Sequence, residues 1–286
     1  MKKIKLICLL MLSIILCGCT ATKNNLEDAK IYTTIYPVEY IVNFLYGDSS
    51  TIESIYPIGV DIENYKLTEK QIDEYSSGDL FVYVGINERG IAKSFIDKNK
   101  KLLIIDATRS ITSDHVEELW LAPNNFLMLV KNIRTSLNEY LDNSVKEEEV
   151  NNKYDELYKE VSWIDAELRS IAKEASETNN NTLIIADNAF KYLSGYGFNI
   201  ISVEDIENSK NDNAIKDLKN KFKNSTYKNI VKFKTDKDSD LVKELISNSG
   251  ISKIEINPLI TNDDSASDYV SIQYENLAKI KDTLLK

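Results

Sequence analysis

Cysteine and histidine are almost missing from this 286-residue sequence, and their scarcity excludes several classes of site. The three cysteines, Cys8, Cys17 and Cys19, all lie within the first twenty residues. The rest of the chain therefore has no thiols for a disulfide or for a cysteine-ligated metal centre. The one histidine, His115, cannot build a Ser-His-Asp set from sequence alone. We interpret it as a solvated loop residue, with a catalytic role as the less favoured alternative.

Glycine and basic charge are also in short supply. The sequence has only nine glycines, and none forms a glycine-rich run between a strand and a helix, so no nucleotide-binding loop is indicated. The 45 acidic side chains outnumber the 35 basic ones, giving a net charge of −10 without a basic patch. This argues against nucleic acid as a partner and against charge-driven docking on anionic lipid. Because no nucleophile, catalytic pair or cofactor loop can be assembled, we do not expect an enzyme.

The N-terminus has the pattern of a lipoprotein signal peptide. A lysine-rich start, Met1 to Lys5, precedes an apolar run from Leu6 to Leu16. That run is too short to span the ~30 Å hydrocarbon core of a bilayer, but it suits a signal peptide. The following Leu16-Cys17-Gly18-Cys19 has the form of a lipobox, with an ordinary secretory signal or short anchor helix as the alternatives. We predict a lipoprotein signal peptide and lipobox over 1–19, with cleavage before Cys19 and lipidation of its thiol, and a tether over 20–29. The protein is therefore expected to be extracytoplasmic and anchored to the cell membrane.

The remaining chain alternates short apolar runs with helical periods, which predicts an α/β fold of two lobes. Apolar strands between helices are typical of a mostly parallel sheet flanked by helices. We predict a first lobe over 30–145, a connecting helix within 146–178, and a second lobe over 179–286. In the first lobe we expect strands at 31–36, 50–56, 80–84 and 102–105, and helices at 38–45, 68–75 and 124–141. In the second we expect strands at 182–186, 200–203, 229–233 and 253–256, and helices at 189–194, 214–222, 239–247 and 268–285.

The segment between the lobes is the longest predicted element. Residues 147–176 contain neither glycine nor proline, and their apolar side chains recur at three- and four-residue steps. Such a helix would run about 45 Å at ~1.5 Å per residue, long enough to join both lobes rigidly. An ordinary amphipathic surface helix would show the same periodicity, so this alternative stays open.

Three motifs, in order, resemble those of a known family. They are IYPIGVDIENYKLT at 55–68, ELWLAP at 118–123 and ADNAFKYLSGYGF at 186–198. Together they resemble the metal-binding lipoproteins of zinc and manganese ABC importers, the ZnuA-like and TroA-like group. The resemblance covers essentially the whole chain after the tether. It implies a monomeric solute-binding protein with a long backbone helix, a divalent metal ion as cargo, and a membrane permease and its ATPase as partners.

The resemblance also implies four metal-ligand positions, where this sequence departs from the family pattern. The family's histidines fall on Glu63 and Glu118, and its third ligand falls on Asp187. The fourth, an aspartate after the last strand, falls on Asn262, with acidic residues at 263–264; we take Asp263 as the ligand. Carboxylates suit Mn²⁺, whereas zinc favours imidazole or thiolate. We therefore expect these four carboxylates to converge between the lobes on a divalent cation, with manganese favoured over zinc.

The alternative is a surface lipoprotein or adhesin of the same fold that has lost metal binding. In that case Glu63, Glu118 and Asp263 would be solvated residues of an inert cleft, and the protein would act through protein contacts.

Overall fold

The structure is a computed structural model, and it describes residues 26–58, 60, 62, 64–85, 88–235, 237–247, 250–260 and 268–285. The predicted signal peptide and lipidated Cys19 lie outside these residues. Among the helices that the structure describes, none is both long enough and apolar enough to cross a membrane.

The first lobe is a four-stranded parallel sheet with helices packed on it. Its strands are β1 (Ala29–Thr33), β2 (Ser50–Ser54), β3 (Leu80–Tyr83) and β4 (Leu103–Asp106), in the order β2-β1-β3-β4. The accompanying elements are α1 (Tyr36–Tyr46), a 3₁₀ turn (Gly47–Ser49), α2 (Glu69–Ser76) and α3 (Arg89–Lys98). All four side chains of β3 are buried, as expected of a central strand covered on both faces.

Two local features of this lobe differ from the sequence-based expectation. The first strand ends at Thr33, and α1 already begins at Tyr36. Pro37 therefore lies in the first turn of a helix, where its missing N–H costs nothing, rather than closing the strand. Helix α3 was not predicted. In contrast, the helix predicted at 68–75 is confirmed as α2, which Thr68 caps in a reciprocal capping box with Gln71.

The lobes are joined by a helical segment whose longest member confirms the predicted connecting helix. It comprises α4 (Glu118–Leu121), α5 (Pro123–Tyr140) and α6 (Ser144–Glu177). Helix α6 has 34 residues, so it runs about 51 Å at ~1.5 Å per residue. It starts earlier than predicted because the Asn143 side chain accepts hydrogen bonds from the first free backbone N–H groups. Its buried stripe packs against helices of both lobes, which distinguishes it from an ordinary surface helix.

The second lobe repeats the architecture of the first. Its parallel strands are β5 (Thr182–Ile185), β6 (Asn199–Ser202), β7 (Asn229–Phe233) and β8 (Ser252–Ile256), in the order β6-β5-β7-β8. Its helices are α7 (Val203–Asn208), α8 (Asp212–Lys223), α9 (Asp240–Ile246) and α10 (Tyr269–Leu284). The helix predicted at 189–194 is a 3₁₀ helix spanning Asn188–Tyr196, and α7 was not predicted.

The hydrophobic core is continuous between the lobes. One cluster of buried side chains runs from the first sheet through α5 and α6 to β5, β7, β8 and α10. A smaller cluster, containing Val203, Leu218 and Phe222, lies on the other side of the second sheet, under α7, α8 and α9. Because most of the apolar surface belongs to one shared core, separating the lobes would expose part of it to water.

Candidate functional site

The two strand orders locate a candidate cleft. In an open parallel sheet, ligands bind outside the carboxyl ends of the strands, where the chain turns to opposite sides of the sheet. In the first sheet this switch point lies between β1 and β3, and in the second between β5 and β7. Helix α4, which begins with Glu118, packs against the 3₁₀ helix that follows β5. The carboxyl-end segments of both lobes therefore meet here.

A buried hydrogen-bond network holds the lobes together beside this cleft. The indole Nε1 of Trp120 donates to the carbonyl oxygen of Pro258 at 2.7 Å. From α10, the hydroxyl of Tyr269 donates to the Trp120 carbonyl oxygen. The side-chain amide of Gln273 donates to the same carbonyl at 3.1 Å and to the Tyr269 hydroxyl at 2.9 Å. Because the first lobe's Trp120 is bound on both sides by groups of the second lobe, the network fixes one lobe on the other.

Glu118, a predicted ligand, is the first residue of α4 and is half-buried. One of its carboxylate oxygens accepts a hydrogen bond from the Ser113 hydroxyl at 2.7 Å. Burial, with a smaller contribution from this carboxylate, raises the pKa of Tyr192 on the 3₁₀ helix. Glu118 is therefore close to Tyr192 of the second lobe.

Asp187, the second predicted ligand that the structure describes, directly follows β5. It is half-buried, and its side chain caps the 3₁₀ helix by accepting from the backbone N–H of Ala189 at 2.7 Å. This bond occupies Oδ1, and a carboxylate has several lone pairs, so the group retains acceptor capacity for a cation. Asp187 therefore lies at the carboxyl end of β5, beside the switch point of the second sheet.

The segment after Asp187 continues into a polar network at the ends of β5 and β6. Asn188 is buried; its backbone N–H donates to Glu204 at 2.8 Å and its amide donates to Asp205 at 2.9 Å. The ammonium of Lys191 is 2.8 Å from an Asp205 oxygen. Hydrogen bonds from Lys191 and Asn188, with a smaller contribution from His115, hold the pKa of Asp205 below its usual value.

His115 is thus close enough to act electrostatically on a residue of the other lobe. It lies in the loop before α4, as predicted, and is half-buried there. Its backbone carbonyl accepts from the Glu118 N–H at 3.2 Å and lies 2.7 Å from the Ser113 hydroxyl, whose one proton it shares with the Glu118 carboxylate. These bonds involve the backbone only, so they tie His115 to the Glu118 segment without assigning its imidazole a role.

The other two predicted ligands, Glu63 and Asp263, lie outside the residues that the structure describes, as do Asn262 and Asp264. The predicted convergence of four carboxylates therefore stays a prediction. Within the described part of the chain, no three His, Cys, Asp or Glu side chains are grouped as metal ligands.

Sequence reasoning missed Glu88, the buried acid of the first lobe. It occupies the N-cap position of α3 without a capping hydrogen bond from its side chain, and the residue is only 4% exposed. Its carboxyl accepts from the backbone N–H of Val84 at 3.0 Å. Burial raises the pKa of Glu88 to about 8, against the opposing effect of the hydrogen bond from the Val84 N–H. The available signal was an acidic residue four positions beyond a wholly apolar strand.

Comparison with known proteins supports the resemblance drawn from the motifs. The family model described as zinc-uptake complex component A, periplasmic, matches residues 31–283. The iron-binding protein YfeA of Yersinia pestis is 28% identical over 193 residues, covering 62% of this chain and 60% of YfeA. The manganese-binding lipoprotein MntA of Halalkalibacterium halodurans is 22% identical over 209 residues, covering 68% of each chain.

A solved structure has the same fold. The metal-dependent lipoprotein YcdH of Bacillus subtilis superposes with a TM-score of 0.73 at 22% identity, covering 90% of this chain and 100% of YcdH. At that identity the likeness shows the fold. The family model, in contrast, matches nearly all of the chain after its first thirty residues. The chain therefore belongs to the ZnuA family.

Proposed function

We propose that this protein is the extracytoplasmic solute-binding component of a metal ABC importer. The observation that carries the proposal is the family match over residues 31–283. By the motif resemblance, Glu118 and Asp187 stand at two of the family's ligand positions within that range. The family consists of transport proteins, so the expectation that the chain is not an enzyme is confirmed. By this proposal, one divalent cation is the cargo. It is held between the lobes and passed to a membrane permease driven by its ATPase.

We propose Glu63, Glu118, Asp187 and Asp263 as the ligands. The relatives carry names that refer to iron and manganese, and the family model is named for zinc, so the class of cargo is a divalent transition metal. An all-carboxylate set supplies hard oxygen donors, which suit Mn²⁺ better than Zn²⁺. We therefore propose manganese as the preferred cargo.

We propose further that the protein is monomeric and anchored at the outer face of the cell membrane through lipid on Cys19. Relatives include proteins named as lipoproteins, among them MntA. A multiply acylated cysteine holds a protein at the membrane durably, which would keep the binding lobes near the permease.

Metal analysis of residues 20–286, the chain without its signal peptide and lipidated cysteine, tests the proposed function. Tag-free protein is refolded without metal, offered equal concentrations of Mn²⁺, Zn²⁺ and Fe²⁺ under anaerobic conditions, and analysed by mass spectrometry of the elements. We expect about one metal ion per chain, mainly manganese. Glu118→Gln and Asp187→Asn should weaken binding at least about tenfold, since each removes a charged oxygen donor. The exposed carboxylates of α6 provide matched controls, Glu148→Gln and Asp155→Asn, which should bind as the parent does.

The outcomes separate the two functions considered. Zinc in place of manganese would correct the cargo but keep the transport function. If the folded protein binds none of the three metals, the transport function is refuted. That result would support a surface lipoprotein that acts through protein contacts.

A further inference from the structure

Two large aromatic side chains are exposed where α6 and α10 lie side by side. Trp163, on α6, is 70% exposed, and Tyr274, on α10, is 42% exposed. Single apolar side chains on a protein surface are ordinary, but these two line the same groove. Because tryptophan and tyrosine are enriched among the residues that dominate binding energy, a groove lined by both indicates a contact surface.

The groove has a volume of about 260 Å³. Two buried aliphatic side chains line it, Ile171 from α6 and Leu277 from α10. Its charged lining groups are Glu167 and Lys281, which form an ion pair at 2.7 Å. Pockets for whole small molecules usually measure roughly 300–1,000 Å³, so this groove suits one long side chain of a partner.

Negative charge predominates at the end of the groove where Lys281 lies. The hydrogen bond and charge of Glu167 raise the pKa of this lysine, with smaller contributions from Glu174 and Asp282. One cation therefore faces three carboxylates. An anionic partner would be repelled there, whereas a cationic one would be attracted.

The other end of the groove carries a carboxylate that is not neutralised. Glu160 lies three residues before Trp163 on α6 and is exposed. Burial raises the pKa of Tyr274, with smaller contributions from Glu160 and Glu167, so both carboxylates act on the same ring. Of the ion pairs that α6 forms within the described part of the chain, none uses Glu160. Lys159 is its neighbour in the chain but does not line the groove.

Aromatic faces beside free carboxylates are the surroundings that a guanidinium group prefers. It is attracted to the face of an indole ring, and its planar fork pairs with carboxylates. A second copy of this chain fits less well, since a two-fold contact would bring the same carboxylates together. Anionic lipid fits less well for the same electrostatic reason.

We propose that the groove between α6 and α10 is a docking site for an arginine-bearing segment of a partner protein. The guanidinium stacks on Trp163 and pairs with Glu160, while its aliphatic stem lies against Ile171 and Leu277. None of the residues lining the groove is a proposed metal ligand, so the inference does not depend on the cargo. It adds a protein-contact surface to the proposed transport function.

Nuclear magnetic resonance of the indole N–H groups tests the proposal. The chain has two tryptophans, so Trp163→Phe assigns both signals. Metal-free residues 20–286, labelled with ¹⁵N, are titrated with acetyl-Gly-Arg-Gly-Arg-Gly amide. The Trp163 signal should shift to saturation with a Kd of about 1 mM or tighter. The Trp120 signal should stay in place, because that indole is bound to the Pro258 carbonyl.

A neutral peptide and two charge variants separate docking from general attraction to an acidic chain. Replacing both arginines by citrulline keeps the shape and removes the charge, and should weaken binding at least about fivefold. Glu160→Gln should weaken binding of the arginine peptide about two- to fivefold. Glu148→Gln removes the same charge fifteen residues earlier on α6, about 22 Å away, and should bind as the parent does. Equal effects of the two variants, or equal affinities for the two peptides, would overturn the proposal.

The tryptophan itself is tested by Trp163→Leu, followed through backbone amide signals of α6 and α10. This variant should bind the arginine peptide at least about fivefold more weakly than the parent. If it does not fold, the citrulline comparison and the two glutamate variants decide the matter. An unchanged affinity in folded Trp163→Leu would overturn the proposal.

Other occupants of the groove give different signals. A Trp163 shift that grows with protein concentration alone, with dimers in sedimentation equilibrium, would assign the groove to a second copy. Loss of the Trp163 signal on adding vesicles of phosphatidylcholine and phosphatidylglycerol would assign it to the membrane. Either result, or no shift with the arginine peptide, would overturn the proposal while leaving metal binding untouched.

Discussion

Replacing Tyr269 by phenylalanine should weaken the attachment between the lobes by a small, measurable amount. The tyrosine is 1% exposed, and its ring stacks on Phe126 with centroids 3.9 Å apart. Phenylalanine preserves this stacking and removes only the hydroxyl, which donates to the Trp120 carbonyl and accepts from Gln273. The carbonyl keeps its 3.1 Å bond from Gln273, so it is not left without a partner. We therefore expect a loss of about 1–2 kcal/mol in the free energy of unfolding.

Urea denaturation followed by tryptophan fluorescence measures this loss. The sequence has two tryptophans; Trp120 is buried at the lobe contact, whereas Trp163 is 70% exposed. In a Trp163→Phe background the fluorescence therefore reports on the contact itself. Tyr274→Phe on the same helix, at a side chain 42% exposed, is the matched control and should change stability by less than about 0.5 kcal/mol.

Two results would refute this reasoning. If Tyr269→Phe is as stable as its control, the buried hydroxyl does not contribute to the attachment. If the fluorescence transition precedes the loss of far-ultraviolet circular dichroism, the lobes separate before they unfold. The continuous core predicts instead that both signals change together in parent and variant.

Three further predictions concern the anchor, lobe motion and pH. Cys19→Ala should leave the protein unlipidated, in the medium or as uncleaved precursor; equal labelling of mutant and parent with a fatty-acid analogue would contradict the lipobox. Scattering curves with and without Mn²⁺ should give the same radius of gyration, because α6 and the Trp120 network leave no flexible linker, and a clear change would argue for hinge closure. In metal-free protein, the pKa of Glu88, raised from 4.5 to about 8, implies stability that is present below pH 4.5 and lost as the pH rises to 8. Glu88→Gln should avoid this loss, which is about 4–5 kcal/mol at full burial, and parallel urea midpoints of the two proteins from pH 5 to 9 would count against it.

Local interactions explain why much of the secondary structure was predictable. The strand at Asn229–Phe233 agrees residue by residue with its apolar run, and Thr68 caps its helix because the signal lies within four residues. One face of α6 is buried, so its apolar residues recur at three- and four-residue steps. The connecting helix could therefore also be predicted from the sequence. Asp187 follows its strand directly, which placed it correctly at a strand end.

Elements that depend on distant contacts were not predictable. Tyr36 begins a helix after a β-like run; its backbone N–H donates to the carbonyl of Ile260 in the other lobe, a contact that no local pattern contains. The 3₁₀ helix after Asp187 and the short α4 pack against each other across the lobes. For the candidate site, Asp187 lies just beyond β5 and Glu118 begins α4, while Glu63 and Asp263 lie outside the described residues, so the convergence of the four stays a prediction.

The sequence by itself determined the α/β class, the two lobes and the family, because repeating apolar patterns and ordered motifs are properties of neighbouring residues. Tertiary structure alone decided that Glu88 is buried at a switch point and that Trp120 is bound by Tyr269, 149 residues away. Burial and electrostatic surroundings depend on which segments the fold brings together. The same glutamate on a solvated helix would be an ordinary acid, whereas burial, with a smaller contribution from the Asp106 carboxylate, raises its pKa in this fold.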